Sequence, residues 1–261
     1  MKKAVFFDID GTLIDWVNGL IDITPEVKES IRKLQADGHY AFIATGRPYA
    51  FLSESLLNFG FDGFVLTNGA HVKLNDNVIY KEPLNKDFVK ELVDNFEKRN
   101  IQYILQGEID SYMKEHCKEF YSFFDNANVS RNYLKSDFNV EDIETYKIEM
   151  LCKDKEGVNY CLSLGTDDYD YMHHEKLDAF ELYSKKVTKA TGILKALEHL
   201  NIPIENSYAF GDGKNDIEML STVGCGIAMG NASDEVKSYA KKVTETVHNN
   251  GIAFGIENFI L

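Results

Sequence analysis

Positive charge, cysteine and long apolar runs are all scarce in this 261-residue chain. Lys and Arg total 28 against 42 Asp and Glu, for a formal charge of −14. A nucleic-acid binder needs a basic stripe, and an anionic membrane surface attracts basic segments, so both partners are disfavoured. No apolar run reaches the ~18 residues of a membrane-crossing helix, and no basic-then-apolar leader precedes Asp8. The expectation is a cytoplasmic protein with no membrane and no obligate protein partner in evidence. The four cysteines, at 117, 152, 161 and 225, form no CxxC pair. Cys152 and Cys161 lie in apolar-rich stretches and read as buried, reduced thiols. Repeats and low-complexity segments are missing as well. What is present is a normal apolar share of 44%, enough for one large domain or two moderate ones.

Short apolar runs alternate with amphipathic segments. Residues 4–7 read as a strand, 25–37 as a helix capped by Thr24 with Pro25 in its first turn, and 40–44 as a second strand. Residues 47–59 read as a helix and 64–66 as a third strand. This alternation predicts an α/β fold with a parallel sheet. The pattern changes after Gly69. Residues 71–73 and 78–80 flank a hairpin-like Asn75-Asp76-Asn77 turn. A helix is expected over 87–99, and strands over 101–105, 147–152 and 178–183. Residues 106–146 have no clean period. The first pattern resumes with a helix over 189–200, strands over 207–210 and 225–229, and a helix from Ser233. The two ends of the chain are therefore expected to build one sheet (1–82 and 187–261), interrupted by an inserted α/β domain over 83–186.

Several of these elements begin or end in polar residues of a consistent kind. The first strand runs into Asp8-Ile9-Asp10-Gly11-Thr12, and the second into Thr45-Gly46-Arg47. The helix from 189 starts with Lys189. The strand before 211 runs into Gly211-Asp212-Gly213-Lys214-Asn215-Asp216. In a parallel sheet these groups converge at the carboxyl edge, where ligands bind. Two carboxylates one residue apart repel unless a cation joins them, and Mg²⁺ is the usual hard cation beside phosphate. A carboxylate nucleophile, a metal cage, a hydroxyl and an ammonium are the equipment of phosphoryl transfer.

With these four motifs in this order, the chain resembles the haloacid dehalogenase-like phosphatases, specifically the Cof-type group. The resemblance implies a Rossmann-like parallel-sheet core with helices on both faces and an α/β cap between the second and third motifs. It implies that Asp8 attacks phosphorus to form an aspartyl-phosphate, and that Asp10 acts as acid and then base. Mg²⁺ would be held by Asp8, the backbone carbonyl of Asp10, and Asp212. Asp216 would hold the metal's water shell or orient Lys189. Thr45, Gly46, the N–H of Ile9, Lys189 and Asn215 would bind phosphate, and Arg47 is a further phosphate candidate. About 35 residues separate Asp8 from Thr45, too few for a folded cap, whereas roughly 140 separate Thr45 from Lys189. The implied activity is hydrolysis of a small phosphorylated metabolite such as a sugar phosphate. A phosphomutase on the same scaffold, or a non-catalytic phospholigand-binding protein, is an alternative.

Lesser features have simpler readings. Residues 211–216 taken alone also suit a calcium loop or a turn, but no acid stands at the twelfth loop position. Adjacent His173 and His174 point to different sides of an extended chain and do not form a metal pair. Tyr112, Phe120, Tyr121, Phe123 and Phe124 read as core of the insert, and 167–170 as a solvated acidic loop. Asn68 reads as a turn-former at the entry to the insert. An acid role for Asp10 requires desolvation and neighbouring carboxylates to help it keep a proton.

Overall fold

The computed structural model describes residues 1–126 and 129–261, apart from the side chains of Phe123 and Asn126, which lie outside the described set. Along the chain the strands are β1 Ala4–Phe7, β2 Tyr40–Ala44, β3 Gly63–Leu66, β4 His71–Leu74, β5 Asn77–Lys81, β6 Gln102–Gln106 and β7 Ser111–Tyr112. They continue as β8 Leu134–Lys135, β9 Lys147–Leu151, β10 Tyr169–His174, β11 Ala179–Ser184, β12 Ser207–Gly211, β13 Cys225–Ala228 and β14 Lys242–Val243. The helices are α1 Pro25–Ala36, α2 Glu54–Phe59, α3 Lys86–Lys98, α4 Phe120–Asn126, α5 Lys155–Leu162, α6 Lys189–Leu200, α7 Ile217–Thr222, α8 Asp234–Ser238 and α9 Gly251–Gly255. The chain divides into two units. One comprises Met1–Gly46, Glu54–Lys81 and Val187–Leu261; the other comprises Arg47–Ser53 and Glu82–Lys186.

The first unit is built on an eight-stranded sheet in the order β14-β13-β12-β1-β2-β3-β4-β5. Six strands run parallel, and β4 and β5 turn back antiparallel at one edge. The central strands are buried on both faces, which is why they read as unbroken apolar runs rather than alternating ones. Ala4, Phe6, Phe42 and Ala209 pack beneath Ile193, Ala196 and Leu197 of α6 and Met219 of α7. On the other face Phe7 stacks on Phe210, and Gly255 of α9 lies against that ring while α1 packs beside α9. Helices thus cover both faces.

The N-terminus of α6 is fixed with unusual care. Thr188 and Thr191 form a reciprocal capping box, and Thr188 lies against Gly69. A Cβ on Gly69 would come within 2.0 Å of the Thr188 carbonyl oxygen, and Gly69 has φ of +95°. Only glycine supplies that backbone and that clearance.

The stretch 47–59 departs from the single helix expected of it. A 3₁₀ turn over Tyr49–Phe51 ends at an extended Leu52, and α2 begins at Glu54. Pro48 disfavours helical geometry at Arg47, and the extended Leu52 parts the turn from α2, neither of which apolar periodicity reveals. Residues 47–53 group with the second unit rather than the first.

The second unit holds a six-stranded sheet in the order β10-β11-β9-β6-β7-β8, antiparallel except for the β7–β8 pair. Tyr103, Leu105, Ile148, Met150, Phe180 and Leu182 line one face and pack on α3 and α5. Phe120 and Phe124 are buried, while Tyr112 and Tyr121 are half-buried. The supposed acidic loop is partly strand: Tyr169 and Asp170 open β10, where Asp170 takes an outward position between two inward tyrosines. His173 stacks on Phe180, whereas His174 pairs with Glu181 at 3.0 Å, so the two imidazoles occupy opposite faces. Cys152 and Cys161 are buried free thiols with sulfurs 3.6 Å apart.

The outer face of this sheet carries charge. The Lys147 ammonium lies 2.6 Å from Glu181 and 3.9 Å from Glu149. Lys147 holds Glu181 below the ordinary carboxylate range, whereas burial, only partly offset by Lys147, pushes Glu149 up to about 7.

Two stability measurements test this architecture. Gly69→Ala is expected to lower unfolding free energy by about 2–4 kcal/mol, combining backbone strain with a clash on Thr188; urea titration measures it. Glu149 binds its proton more tightly folded than unfolded, so its stabilising contribution is complete below the unfolded pKa and is lost as pH rises through about 7. Thermal melts from pH 4.5 to 7.5 are expected to show a flatter profile for Glu149→Gln than for the natural protein.

Candidate active site

β1 lies between β2 and β12, with Phe7 paired to both Ile43 and Phe210. This register brings Asp8, Thr45 and Asp212 out at the same carboxyl edge. Lys189 arrives there from the N-terminus of α6 and is 1% exposed. Its ammonium donates to Asp8 Oδ1 at 2.5 Å and to Asp216 Oδ1 at 2.6 Å. The other Asp216 oxygen accepts from the backbone N–H groups of Asp212 and Gly213, at 3.0 and 2.9 Å. One Asp216 oxygen thus meets the lysine and the other shapes the loop.

Asp212 is steered by residues not anticipated from the sequence. Thr12 donates to its Oδ1 at 3.1 Å, and Asn231 Nδ2 lies 3.3 Å from its Oδ2. Asn231 also donates to the Gly11 carbonyl at 2.8 Å and accepts from Val247 N–H, so it ties three loops together. Gly11 has φ of +84°, and a Cβ there would strike the Asp212 carboxylate at 2.2 Å. Asn231 lies in the loop after β13, three residues beyond its end, and no local pattern singled it out.

Asp10 differs from Asp8. It is exposed, and its Oδ1 accepts from the indole N–H of Trp16, the only tryptophan, at 3.1 Å. Asp8, by contrast, is buried. Ile9 is buried, and its carbonyl accepts from the N–H groups of Thr12, Leu13 and Ile14, which closes the turn after Asp8. Thr45 is buried, and its carbonyl accepts from Asn68 N–H at 3.0 Å. Gly46 lies against the Asn68 carboxamide. Asn215 is exposed in the Asp212 loop and folds back over Gly213. Arg47 groups with the second unit and donates to the Phe51 carbonyl.

The electrostatics are lopsided. Burial, reinforced by the Asp216 charge, pushes the Asp8 carboxyl well above its ordinary value against the pull of Lys189. Burial and Asp216 likewise push Asp212 up to about 6. Burial alone would lower the Lys189 pKa, but Asp216 and Asp8 outweigh it and hold the ammonium above the ordinary lysine value. Three carboxylates face one ammonium. Asp8, Asp212 and Asp216 each offer an oxygen, all within 4.8 Å of one another. An all-oxygen donor set short of positive charge fits a hard divalent cation, and Mg²⁺ fits it without sulfur or nitrogen ligands.

A family model for haloacid dehalogenase-like hydrolases matches residues 5–256. The chain belongs to the haloacid dehalogenase-like hydrolases. Among curated members it is 31% identical over 274 residues to the 5-amino-6-(5-phospho-D-ribitylamino)uracil phosphatase YitU of Bacillus subtilis (strain 168), covering 95% of this chain and 94% of that protein. A solved structure of a hypothetical protein from Geobacillus kaustophilus HTA426 superposes with a TM-score of 0.86 at 32% identity, covering 98% of both chains. The subclass IIB sugar phosphatase BT4131 superposes with a TM-score of 0.78 at 29% identity, covering 99% of both. Within the haloacid dehalogenase-like family this chain is a phosphatase, a phosphoric monoester hydrolase. Among the described residues no helix is long and apolar enough to cross a membrane.

Removing one partner of a buried ion group leaves the others uncompensated. Lys189→Met is therefore expected to cost about 3–5 kcal/mol of unfolding free energy in EDTA. Urea titration checks this, and an unchanged midpoint would show that the ammonium is not holding the two carboxylates.

Proposed function

We propose that this phosphatase is Mg²⁺-dependent and hydrolyses a small phosphorylated metabolite, a sugar or polyol phosphate, through an aspartyl-phosphate on Asp8. The observation that carries this reading is the buried contact of Lys189 with Asp8, beside a second carboxylate pair that leaves the site short of positive charge. Anionic phosphate enters such a site only if that deficit is made good.

Asp8, Asp212 and the backbone carbonyl of Asp10 would hold the cation, and Asp216 orients Lys189. When bound, Mg²⁺ supplies charge neutralisation that keeps Asp8 ionised and screens it from the phosphoryl group. The chain's own residues perform the rest. The Asp8 oxygen attacks phosphorus, the ester P–O bond breaks, and its electron pair passes to the alcohol oxygen, which takes a proton from Asp10. The indole N–H of Trp16 donates to Asp10 Oδ1 and steers that carboxyl. Water then attacks phosphorus and gives its proton to Asp10, and the bond to Asp8 breaks to release phosphate. Thr45, Gly46, the N–H of Ile9 and Asn215 bind the phosphoryl oxygens, and Lys189 balances the charge that builds on them. The 82–186 unit supplies selection of the alcohol. Support for a sugar or polyol alcohol comes from the printed names of the relatives, a ribityl-substrate phosphatase and a sugar phosphatase.

A screen of phosphate release from phosphorylated metabolites with Mg²⁺ tests the reading. EDTA is expected to silence the natural protein and Mg²⁺ to restore it, and Asp8→Asn to lose about a thousandfold or more in kcat while remaining folded. Turnover by Asp8→Asn at the natural rate, or full activity after exhaustive chelation, would overturn it.

A further inference from the structure

Cys152 and Cys161 both belong to the second unit, and both are buried free thiols. Cys152 follows β9 directly, and Cys161 sits in the last turn of α5. Their Sγ atoms lie 3.6 Å apart, in contact. A buried free cysteine needs no second sulfur, because it packs as a small apolar side chain against carbon. Two sulfurs in contact therefore need an explanation.

Local structure brings them together. Asp154 caps α5 by accepting from Gly157 N–H at 2.8 Å, so the helix starts almost at once after Cys152. A Cβ on Gly157 would lie 3.4 Å from the Cys152 Cβ and 3.2 Å from Ile101, so the helix passes close over the end of β9. Cys161 stands one turn further on the same helix face as Gly157. The Cys152 N–H donates to the Asp178 carbonyl at 3.0 Å, which anchors its backbone to the sheet. The two thiols are not equivalent. Cys152 is 7% exposed and Cys161 0%. A hydrogen bond from Cys161 holds the Cys152 thiol below its ordinary value, whereas the same contact and burial push Cys161 up. Cys152 is the better nucleophile and the more accessible one, with a protonated partner already beside it.

We propose that Cys152 and Cys161 are a dithiol that a hydroperoxide converts to an intramolecular disulfide within the native fold, clipping α5 to the end of β9. The Cys152 thiolate attacks one oxygen of the hydroperoxide and the O–O bond breaks. The departing alkoxide or hydroxide takes up the proton that Cys152 released, and Cys152 is left as a sulfenic acid. The Cys161 sulfur then attacks the Cys152 sulfur, the S–O bond breaks, and hydroxide leaves with the Cys161 proton as water. The two thiols lose two electrons in all, and the hydroperoxide is reduced to an alcohol and water. The sulfurs close by about 1.5 Å to reach the ~2.05 Å bond length, a movement shared between two side chains. The inference stands apart from the phosphatase reading, because its chemistry lies wholly within the second unit.

The test treats the reduced full chain with hydrogen peroxide under native conditions, blocks the remaining thiols with N-ethylmaleimide in urea, and maps tryptic peptides by mass. Lys153 and Lys155 lie between the two cysteines, so trypsin parts them unless a disulfide joins their peptides. The expected product has lost two hydrogens, carries a Cys152–Cys161 bond, and keeps Cys117 and Cys225 open to the block. The pair is expected to oxidise at least about tenfold faster than Cys225, which is less buried but whose thiol burial pushes up. Closing this short loop in the unfolded chain is expected to raise Tm by about 5 °C, and dithiothreitol to reverse the rise. In Cys161→Ser, Cys152 is expected to stop at the sulfenic acid, which dimedone traps. Oxidation of Cys225 ahead of the pair, or a pair that stays reduced until urea unfolds the chain, would overturn the inference. So would a disulfide that lowers Tm, because the native fold would then resist the bond.

Discussion

A single ammonium, Lys189, is shared by two carboxylates that the chain brings from far apart. Asp8 is separated from it by most of the sequence, and Asp216 belongs to a loop beyond the next strand. The group is almost completely removed from water, where isolated charges are expensive and where removing one partner strands the others. Much local structure is arranged to keep it assembled. Thr188 and Thr191 cap the helix that delivers the lysine, and Asp216 is gripped by two backbone N–H groups on the side away from it. The arrangement still does not reach neutrality, because Asp212 stands close by with a carboxyl that burial holds up to about 6. A fold optimised only for stability would not concentrate acids in this way. The imbalance makes sense as a standing demand for cationic charge at the point where phosphate must enter.

Backbone strain is concentrated at the same edge. Thr67, Asn68 and Gly69 take φ of 48°, 53° and 95° in succession. A β-branched residue in the left-handed region is an outlier, and two non-glycine residues there in sequence cost free energy that the surroundings must offset. The offset is visible. Asn68 N–H donates to Thr45, Gly46 rests on the Asn68 carboxamide, and Gly69 admits the N-terminus of α6. The end of β3 is thus bent so that the loop after β2 and the start of α6 are held by one short segment. What looked in the sequence like a turn-former is the piece that couples Thr45 to Lys189.

The residues of the four motifs were legible because each sits at the end of an apolar run or the start of a capped helix, and such local patterns survive in one dimension. Trp16 and Asn231 were not, for a physical reason. Trp16 is an ordinary aromatic until the turn closed by the Ile9 carbonyl swings it onto Asp10. Asn231 gains its meaning only from Gly11 and Asp212, both remote in sequence. Residues 47–59 misled because apolar spacing suits a helix while Pro48 disfavours one at Arg47 and Leu52 is extended. Residues 167–170 misled because acidic composition hides strand alternation: Tyr169, Tyr171 and His173 turn inward while Asp170 and His174 turn out. The parallel core was readable from runs of buried residues. The second unit was less so, since its sheet pairs strands over long separations and its outer face is polar.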